Sequence, residues 1–175
     1  ILEQVVAAIQ PSLLKRTLLL EMGPDAHDAW VEGDEVRLVQ VLNNLLVNAI
    51  KFTPSGGEIR VAATTEEGGV RIDVKDDGIG IAAEELKRVF DLFYQAPQSV
   101  DRSLGGLGLG LPIVRSLVEM HGGNVQATSE GKGRGACMTV RLPLCPAPER
   151  ASSTAPMPLE RGSGRVLVVD DNEDA

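Results

Sequence analysis

Arg37, Gln40, Asn44, Asn48 and Lys51 recur at three- and four-residue steps along one apolar run, so on a helix they share a single face. Leu38, Val41, Leu42, Leu45, Leu46, Val47, Ala49 and Ile50 fill the rest of that helix. Asparagine is a poor helix former that usually sits at caps, so two on one interior face point to a specific partner. An amide oxygen is a hard ligand that suits Mg²⁺ beside phosphate oxygens and water, and a lysine one turn further on can neutralise a phosphate. The competing reading is an ordinary solvated stripe.

A second group lies in Val70-Arg-Ile-Asp-Val-Lys-Asp-Asp77. Alternation along a strand puts Val70, Ile72, Val74 and Asp76 on one side and Arg71, Asp73, Lys75 and Asp77 on the other, so Asp76 points inward. A buried carboxylate is costly unless it receives hydrogen bonds, and an adenine amino group is a suitable donor. Asp77 fits a turn or cap role better. Behind the pair, Gly78-Ile-Gly80 permits close approach of backbone to a flat ligand. Gly105-Gly-Leu-Gly-Leu-Gly-Leu111 then opens a helix with glycines at alternate positions, as expected where bare amides and a helix N-terminus meet phosphate. A dinucleotide-binding turn would need a hydrophobic strand before it, and a P-loop would need GK[ST] after it; neither is present. The remaining reading is a lid over a nucleotide, with Arg102 as a phosphate contact.

These groups need elements to hold them. Glu3 to about Arg16 has helical spacing interrupted by Pro11, Thr17–Met22 reads as a strand, and Trp30–Glu32 as a second short strand. Asp34 is the expected N-cap of the long helix, which runs to about Phe52 and stops at Pro54-Ser-Gly-Gly57. Glu58–Thr65 and Gly69–Asp77 form a strand pair. Helices are expected over about Ala82–Val89 and from about Gly108 to Met120, and strands over Asn124–Ser129 and Ala136–Leu142. Strands and helices mix without strict alternation, which implies an α+β two-layer sandwich: a mixed sheet of about five strands covered by three main helices on one face. Phe90, Phe93 and Tyr94 cluster just before the lid, either as core packing or as an anchor coupling the lid to a docked partner domain. His27 lies in a polar loop, and His121 sits at a helix C-terminus where a partly charged imidazole suits the dipole. Neither reads as catalytic.

The chain has 175 residues, 43% hydrophobic, and a net charge of -8. That size suits one domain plus a tail. The negative charge argues against nucleic-acid binding, and no run reaches the roughly 18 apolar residues of a membrane helix. No cleavable signal is apparent at the start, so the expected compartment is the cytoplasm. Cys137 and Cys145 lack metal-ligand spacing and read as reduced thiols. From Pro143 to Gly164 the sequence is rich in Pro, Ala, Ser, Glu and Arg with little to bury. The expected division is therefore a domain over 1–144, a flexible linker over 145–164, and a severed start of a second domain over 165–175.

Taken in order, QVLNNLLVNAIKFTP, VKDDGIGI, VFDLFYQ, GGLGLGLPIV and GKGRGACMTVRLPL resemble the N, first glycine, phenylalanine, second glycine and third glycine boxes of histidine kinase catalytic domains. The resemblance covers about Asp34 to Leu144 and implies the Bergerat sandwich of the GHKL ATPases. It implies ATP and Mg²⁺ as cofactors, with Asn48 on the metal, Asn44 and Lys51 on the phosphates, and Asp76 on adenine. Gly78, Gly80, Ile81, Gly106, Leu107, Gly108, Leu109 and Gly110 would shape the pocket. Three positions depart from the pattern: Leu107 where threonine is common, Pro112 where alanine is usual, and Met138 where phenylalanine is frequent. The family's phosphoacceptor histidine is followed by an acid and soon by proline, a setting that neither His27 nor His121 has. The implied partner is thus a separate phosphoacceptor and dimerisation domain, with a monomeric fragment and a homodimeric parent.

The terminal VLVVDDNEDA looks like the first strand of a receiver domain, whose acidic pair, here Asp170 and Asp171, would be inactive without the rest of that fold. A receiver domain or response regulator is then a second implied partner. Relatives that hydrolyse ATP carry glutamate at the position of Asn44, where it activates water. Asparagine cannot take a proton, so the resemblance implies phosphotransfer to an imidazole with little hydrolysis. Two other readings stay open: a nucleotide-binding regulatory module without kinase activity, and a GHKL hydrolase.

Overall fold

The computed structural model describes residues 1–95 and 107–147. Arg102, Gly106, most of the lid stretch, the linker beyond residue 147, and the receiver-like strand with Asp170 and Asp171 lie outside the described residues.

The chain opens with α1, Leu2–Ile9, followed by a 3-10 turn, Gln10–Leu13, into which Pro11 fits because its ring presets φ and it donates no hydrogen bond. The strand β1, Thr17–Met22, and the helix α2, Glu35–Phe52, come next. Asp34 caps α2, its carboxylate accepting from the Arg37 amide at 3.1 Å. Then follow β2, Glu58–Glu66; β3, Gly69–Asp76; α3, Ala83–Leu86; α4, Gly110–Met120; β4, Asn124–Thr128; and β5, Ala136–Pro143. The five strands form one mixed sheet in the order β1-β2-β3-β5-β4. Among the described residues, β1 and β2 pair parallel and the other neighbours antiparallel. The two-layer α+β expectation holds.

Register explains which sheet face is covered. Val61 opposes Val74, Val74 opposes Met138, and Val140 opposes Val125, so one face presents a continuous apolar surface. The helices α1, α2 and α4 supply its other half: Leu45, Leu46, Ile59, Val61, Val74, Val114, Val118 and Val140 are essentially sealed from solvent. The opposite face carries Arg60, Arg71, Asp73, Thr139 and Arg141, tied by bonds such as Thr139 Oγ1 to Asp73 Oδ1 at 2.6 Å. Cys137 lies there too, and burial followed by the charge of Asp73 pushes its thiol up, away from the reactive thiolate. Both cysteines are free. Among the described residues no helix is long and apolar enough to cross a membrane.

Three local expectations change. Trp30–Glu32 is not a strand: the Trp30 carbonyl accepts from the Cys145 amide at 2.8 Å, and no ladder continues from that bond. The helix expected over Ala82–Val89 shrinks to Ala83–Leu86, since the segment beyond breaks into turns with Arg88 and Asp91 amides bonding three residues back. The helix α4 begins two residues later than expected because Gly108 has φ +68°, outside the right-handed helical region. His121 sits at the C-cap of α4 as expected and makes a further contact: its Nδ1 lies 2.7 Å from the Leu117 carbonyl and its Nε2 accepts from the Asp34 amide at 3.0 Å, so one ring nitrogen faces each helix.

Leu46 is 0% exposed between α2 and the sheet. Leu46→Ala should lower the unfolding free energy by about 2–5 kcal/mol, read as a drop in the urea midpoint with an unchanged slope. A loss too small to resolve would mean that α2 does not close the core at this point.

Candidate functional site

A cleft of about 820 Å³ opens between the polar face of α2, the turn after β3, the start of β5 and the N-terminus of α4. Asn44, Asn48, Lys51, Asp76, Gly80, Ile81, Leu107, Gly108, Leu109 and Gly110 all line it. Gly78 stands behind the wall, donating its amide to Asp76 Oδ1 at 2.9 Å. Residues from four separate stretches of sequence are thus brought to one space.

The acid is held by the turn that follows it. Ile79 donates to the Phe52 carbonyl at 3.2 Å, which fixes the turn to the end of α2. On the far side the Gly133 amide donates to the Ile79 carbonyl at 2.7 Å and the Gly135 amide to the Gly78 carbonyl at 3.1 Å. Gly80 has φ +67° and its missing side chain leaves room for the Gly131 carbonyl oxygen, which a Cβ would strike. Ser129 Oγ completes the stitching, accepting from the Ile81 amide at 3.0 Å and donating to the Gly135 carbonyl at 2.6 Å. The hairpin of residues 131–135, which the sequence offered only as turn geometry or packing, is the buttress of the Asp76 wall.

Burial pushes the Asp76 carboxyl up, the amides of Gly78 and Ala136 pull it down, and the charge of Asp77 pushes it up again; the net shift is upward. Its neighbour Asp77 does what its outward parity suggested, accepting from the Glu58 amide at 2.9 Å. On α2, the side-chain amides of Asn44 and Asn48 make no hydrogen bond to another protein group among the described residues, and Lys51 pairs with no carboxylate there, its ammonium lying 4.9 Å from the centre of the Phe52 ring. A Cβ on Gly110 would lie 3.7 Å from Asn48 Nδ2 and 3.8 Å from Asn44 Oδ1, so the first turn of α4 faces the asparagines directly. One wall therefore offers an acceptor for a flat amine-bearing group. The other offers the side-chain amides of Asn44 and Asn48 and the Lys51 ammonium beside a helix N-terminus, which suits an anion.

Among the described residues no group of three or more His, Cys, Asp or Glu side chains could hold a metal alone. The donor set fits an ion that arrives with its own oxygen ligands, for which a single amide oxygen completes the shell.

The aromatic cluster divides by position. Phe90 is buried with the Arg115 guanidinium 4.4 Å from its ring centre, whereas Tyr94 lines the cleft under Arg88 at 4.5 Å. Phe93 is 71% exposed with φ +60°, and its amide donates to the Gly108 carbonyl at 3.1 Å. Leu92, Leu107 and Ile79 are also exposed. Core packing thus accounts for Phe90 alone. Several lining residues escaped the sequence reading: Val74, Ala136 and Met138 on the sheet, Glu85 on α3, and Lys132 on the hairpin. Val74 shares the parity of Asp76 and could have been found that way; the others depend on strand register and loop packing.

The match to the family described as "Histidine kinase-, DNA gyrase B-, and HSP90-like ATPase" covers residues 33–146. The sensor histidine kinase WalK of Bacillus subtilis is 42% identical over 122 residues, covering 69% of this chain and 20% of that protein. The signal transduction histidine-protein kinase BaeS of Escherichia coli is 37% identical over 145 residues, covering 82% of this chain and 30% of that protein. The chain thus spans under a third of the length of these relatives. Among solved structures, a mycobacterial sensor histidine kinase, MprB, superposes with a TM-score of 0.71 at 27% identity, over 83% of this chain and 93% of that one. Full-length ShkA in complex with AMPPNP gives 0.71 at 32% identity, over 83% of this chain and 30% of that one. With its fold, its cleft and its ordered motifs all of one kind, the chain belongs to the histidine kinase-, DNA gyrase B- and HSP90-like ATPase family, as the catalytic-domain type of sensor histidine kinases.

Proposed function

We propose that this chain binds Mg-ATP and donates the γ-phosphate to a histidine on a separate dimerisation and phosphoacceptor domain, in two-component signalling. One observation carries the reading: Asp76 on one wall and Asn44, Asn48 and Lys51 on the other line a single cleft. Asp76 would accept from the adenine amino group, while Gly80 and Ile81 form the wall beside the ring. Asn44 and Lys51 would hold phosphate oxygens, with Leu107, Gly108, Leu109 and Gly110 closing from the α4 side; Arg102 and Gly106 would join them from the lid. Asn48 would hold Mg²⁺, which when bound supplies charge neutralisation of the triphosphate.

Asn44 has no basic oxygen for a water proton, so this chain positions the phosphoryl group rather than activating a hydrolytic water. The incoming imidazole would draw its base from its own domain. Exposed Ile79, Leu92, Phe93 and Leu107 around the cleft mouth offer that domain an apolar landing surface. We further propose the division into a catalytic domain over 1–144, a linker over 145–164 and a receiver start over 165–175, with Asp170 and Asp171 as its acidic pair. The parent would be a homodimer working on the cytoplasmic side, the fragment a monomer that touches neither nucleic acid nor membrane.

Adding a separately made phosphoacceptor domain with γ-labelled ATP should place label on its histidine. Intact binding without label would favour a regulatory nucleotide module, and steady phosphate release from the chain alone would favour a hydrolase. Asp76→Asn should weaken ATP binding by on the order of 100-fold by calorimetry while leaving the circular dichroism intact; unchanged affinity would remove adenine recognition from this residue. Because the Asp76 carboxyl is raised, protonation removes its acceptor role first as pH falls, so wild-type affinity should decline on acidification before pH reaches the ordinary aspartate value of about 3.9. The sign for the empty fold is opposite: burial penalises the ionised form, so Asp76→Asn should stabilise the unliganded domain at neutral pH, and that gain should vanish at low pH. Asn48→Ala should abolish most of the Mg²⁺-dependent increment in ATP affinity and leave the metal-free affinity intact.

A further inference from the structure

The phosphate end of the cleft exists only because two helices are held at a definite axial offset. Gly110 at the start of α4 faces Asn44 and Asn48 on α2. Asp34, at the start of α2, lies roughly 15 Å back along that helix from Asn44, and His121 closes α4 at a comparable distance from Gly110. The two helices are packed antiparallel, so sliding one along the other would open or close the gap between Gly110 and the asparagines.

His121 is the polar tie across the far end of this pair. Its Nδ1–H donates to the Leu117 carbonyl at 2.7 Å, which orients the ring and leaves the Nε2 lone pair free. Nε2 accepts from the amide of Asp34, the N-cap of α2, at 3.0 Å. The carboxylate of the same Asp34 accepts from Arg37, so the imidazole grips the residue that starts the helix. Gly33 makes room for the ring: a Cβ there would collide with His121 Cδ2. The cleft chemistry makes no use of this histidine.

We infer that His121 is a positioning residue for the triphosphate, setting the offset between α2 and α4 by binding the N-cap amide of α2. The inference rests on the nucleotide reading of the cleft. Asp76 is held by β3, by the 131–135 hairpin and by the Phe52 end of α2, all of which stay together when α4 slides against α2, so adenine recognition should be untouched by the loss of the tie. His121→Ala should therefore weaken Mg-ATP binding about tenfold, the equivalent of one lost hydrogen bond, while adenosine affinity stays unchanged. Gly33→Ala, which displaces the ring without removing it, should do the same. His121→Gln, whose side-chain oxygen can reach the Asp34 amide, should restore Mg-ATP affinity.

The measurement is calorimetric titration of wild type and the three variants with Mg-ATP and with adenosine, each beside a melting curve. A role in stability alone lowers the melting temperature and leaves both affinities of the folded protein where they were, which overturns the inference. Equal losses for adenosine and Mg-ATP overturn it too. If His121→Ala does not fold, Gly33→Ala against His121→Gln carries the same comparison. Failure of wild type to bind Mg-ATP would instead sink the nucleotide reading itself.

Discussion

A carboxylate held in the wall of a largely apolar cleft is the constraint from which the rest of the architecture follows. Asp76 ends β3 among Val74, Ile81, Ala136 and Met138, where ionisation is penalised, and the amides of Gly78 and Ala136 offset only part of that penalty. To keep the acid in place and still leave it an open side for a ligand, the turn after β3 is clamped on two flanks. The end of α2 holds Ile79, and the hairpin of residues 131–135 holds Gly78, Ile79 and Ile81 through backbone bonds and Ser129. Glycines at 80 and 135 are required because backbone from the other strand occupies the space of their side chains.

The opposite wall solves a different problem. In the proposed reading, a phosphate-binding surface in a protein of net charge -8 must be local, and α2 would make it so by lining up uncharged amides and one lysine rather than a cationic patch. The helix can afford two asparagines because Val41, Leu45 and Leu46 on its other faces are buried against the sheet and α1, so packing outweighs their poor propensity. Asparagine at position 44 would also limit the chemistry under that reading: α2 would orient a triphosphate but offer no proton acceptor to water. Transfer to a nucleophile from another domain is the use to which such a wall is suited.

Around the mouth, the exposed apolar side chains and the cleft share backbone. Phe93 bonds Gly108, which starts the approach to α4, and Tyr94 reaches into the cleft beneath Arg88. A partner pressing on Phe93 and Leu92 would therefore act on the segment that carries Leu107 to Gly110. This is a short mechanical path, made of one hydrogen bond and one helix start.

Strand parity and helical periodicity are local properties, and they were sufficient to place Asp76 inward, Asp77 outward, Asp34 at a cap and the two asparagines on one face of α2. The ordered glycine and asparagine motifs carried the family and the fold class for the same reason, since each depends on the backbone geometry of a few adjacent residues. What no local pattern could reveal was pairing between distant segments. The sheet order that sets Ala136 opposite Asp76, the hairpin that buttresses the first glycine turn, the irregular course of Trp30–Glu32 and the imidazole contact joining His121 to Asp34 arise only when the helices settle on the sheet. Those contacts join residues far apart in sequence, and their geometry follows from how the whole core packs, so only the tertiary structure decides them.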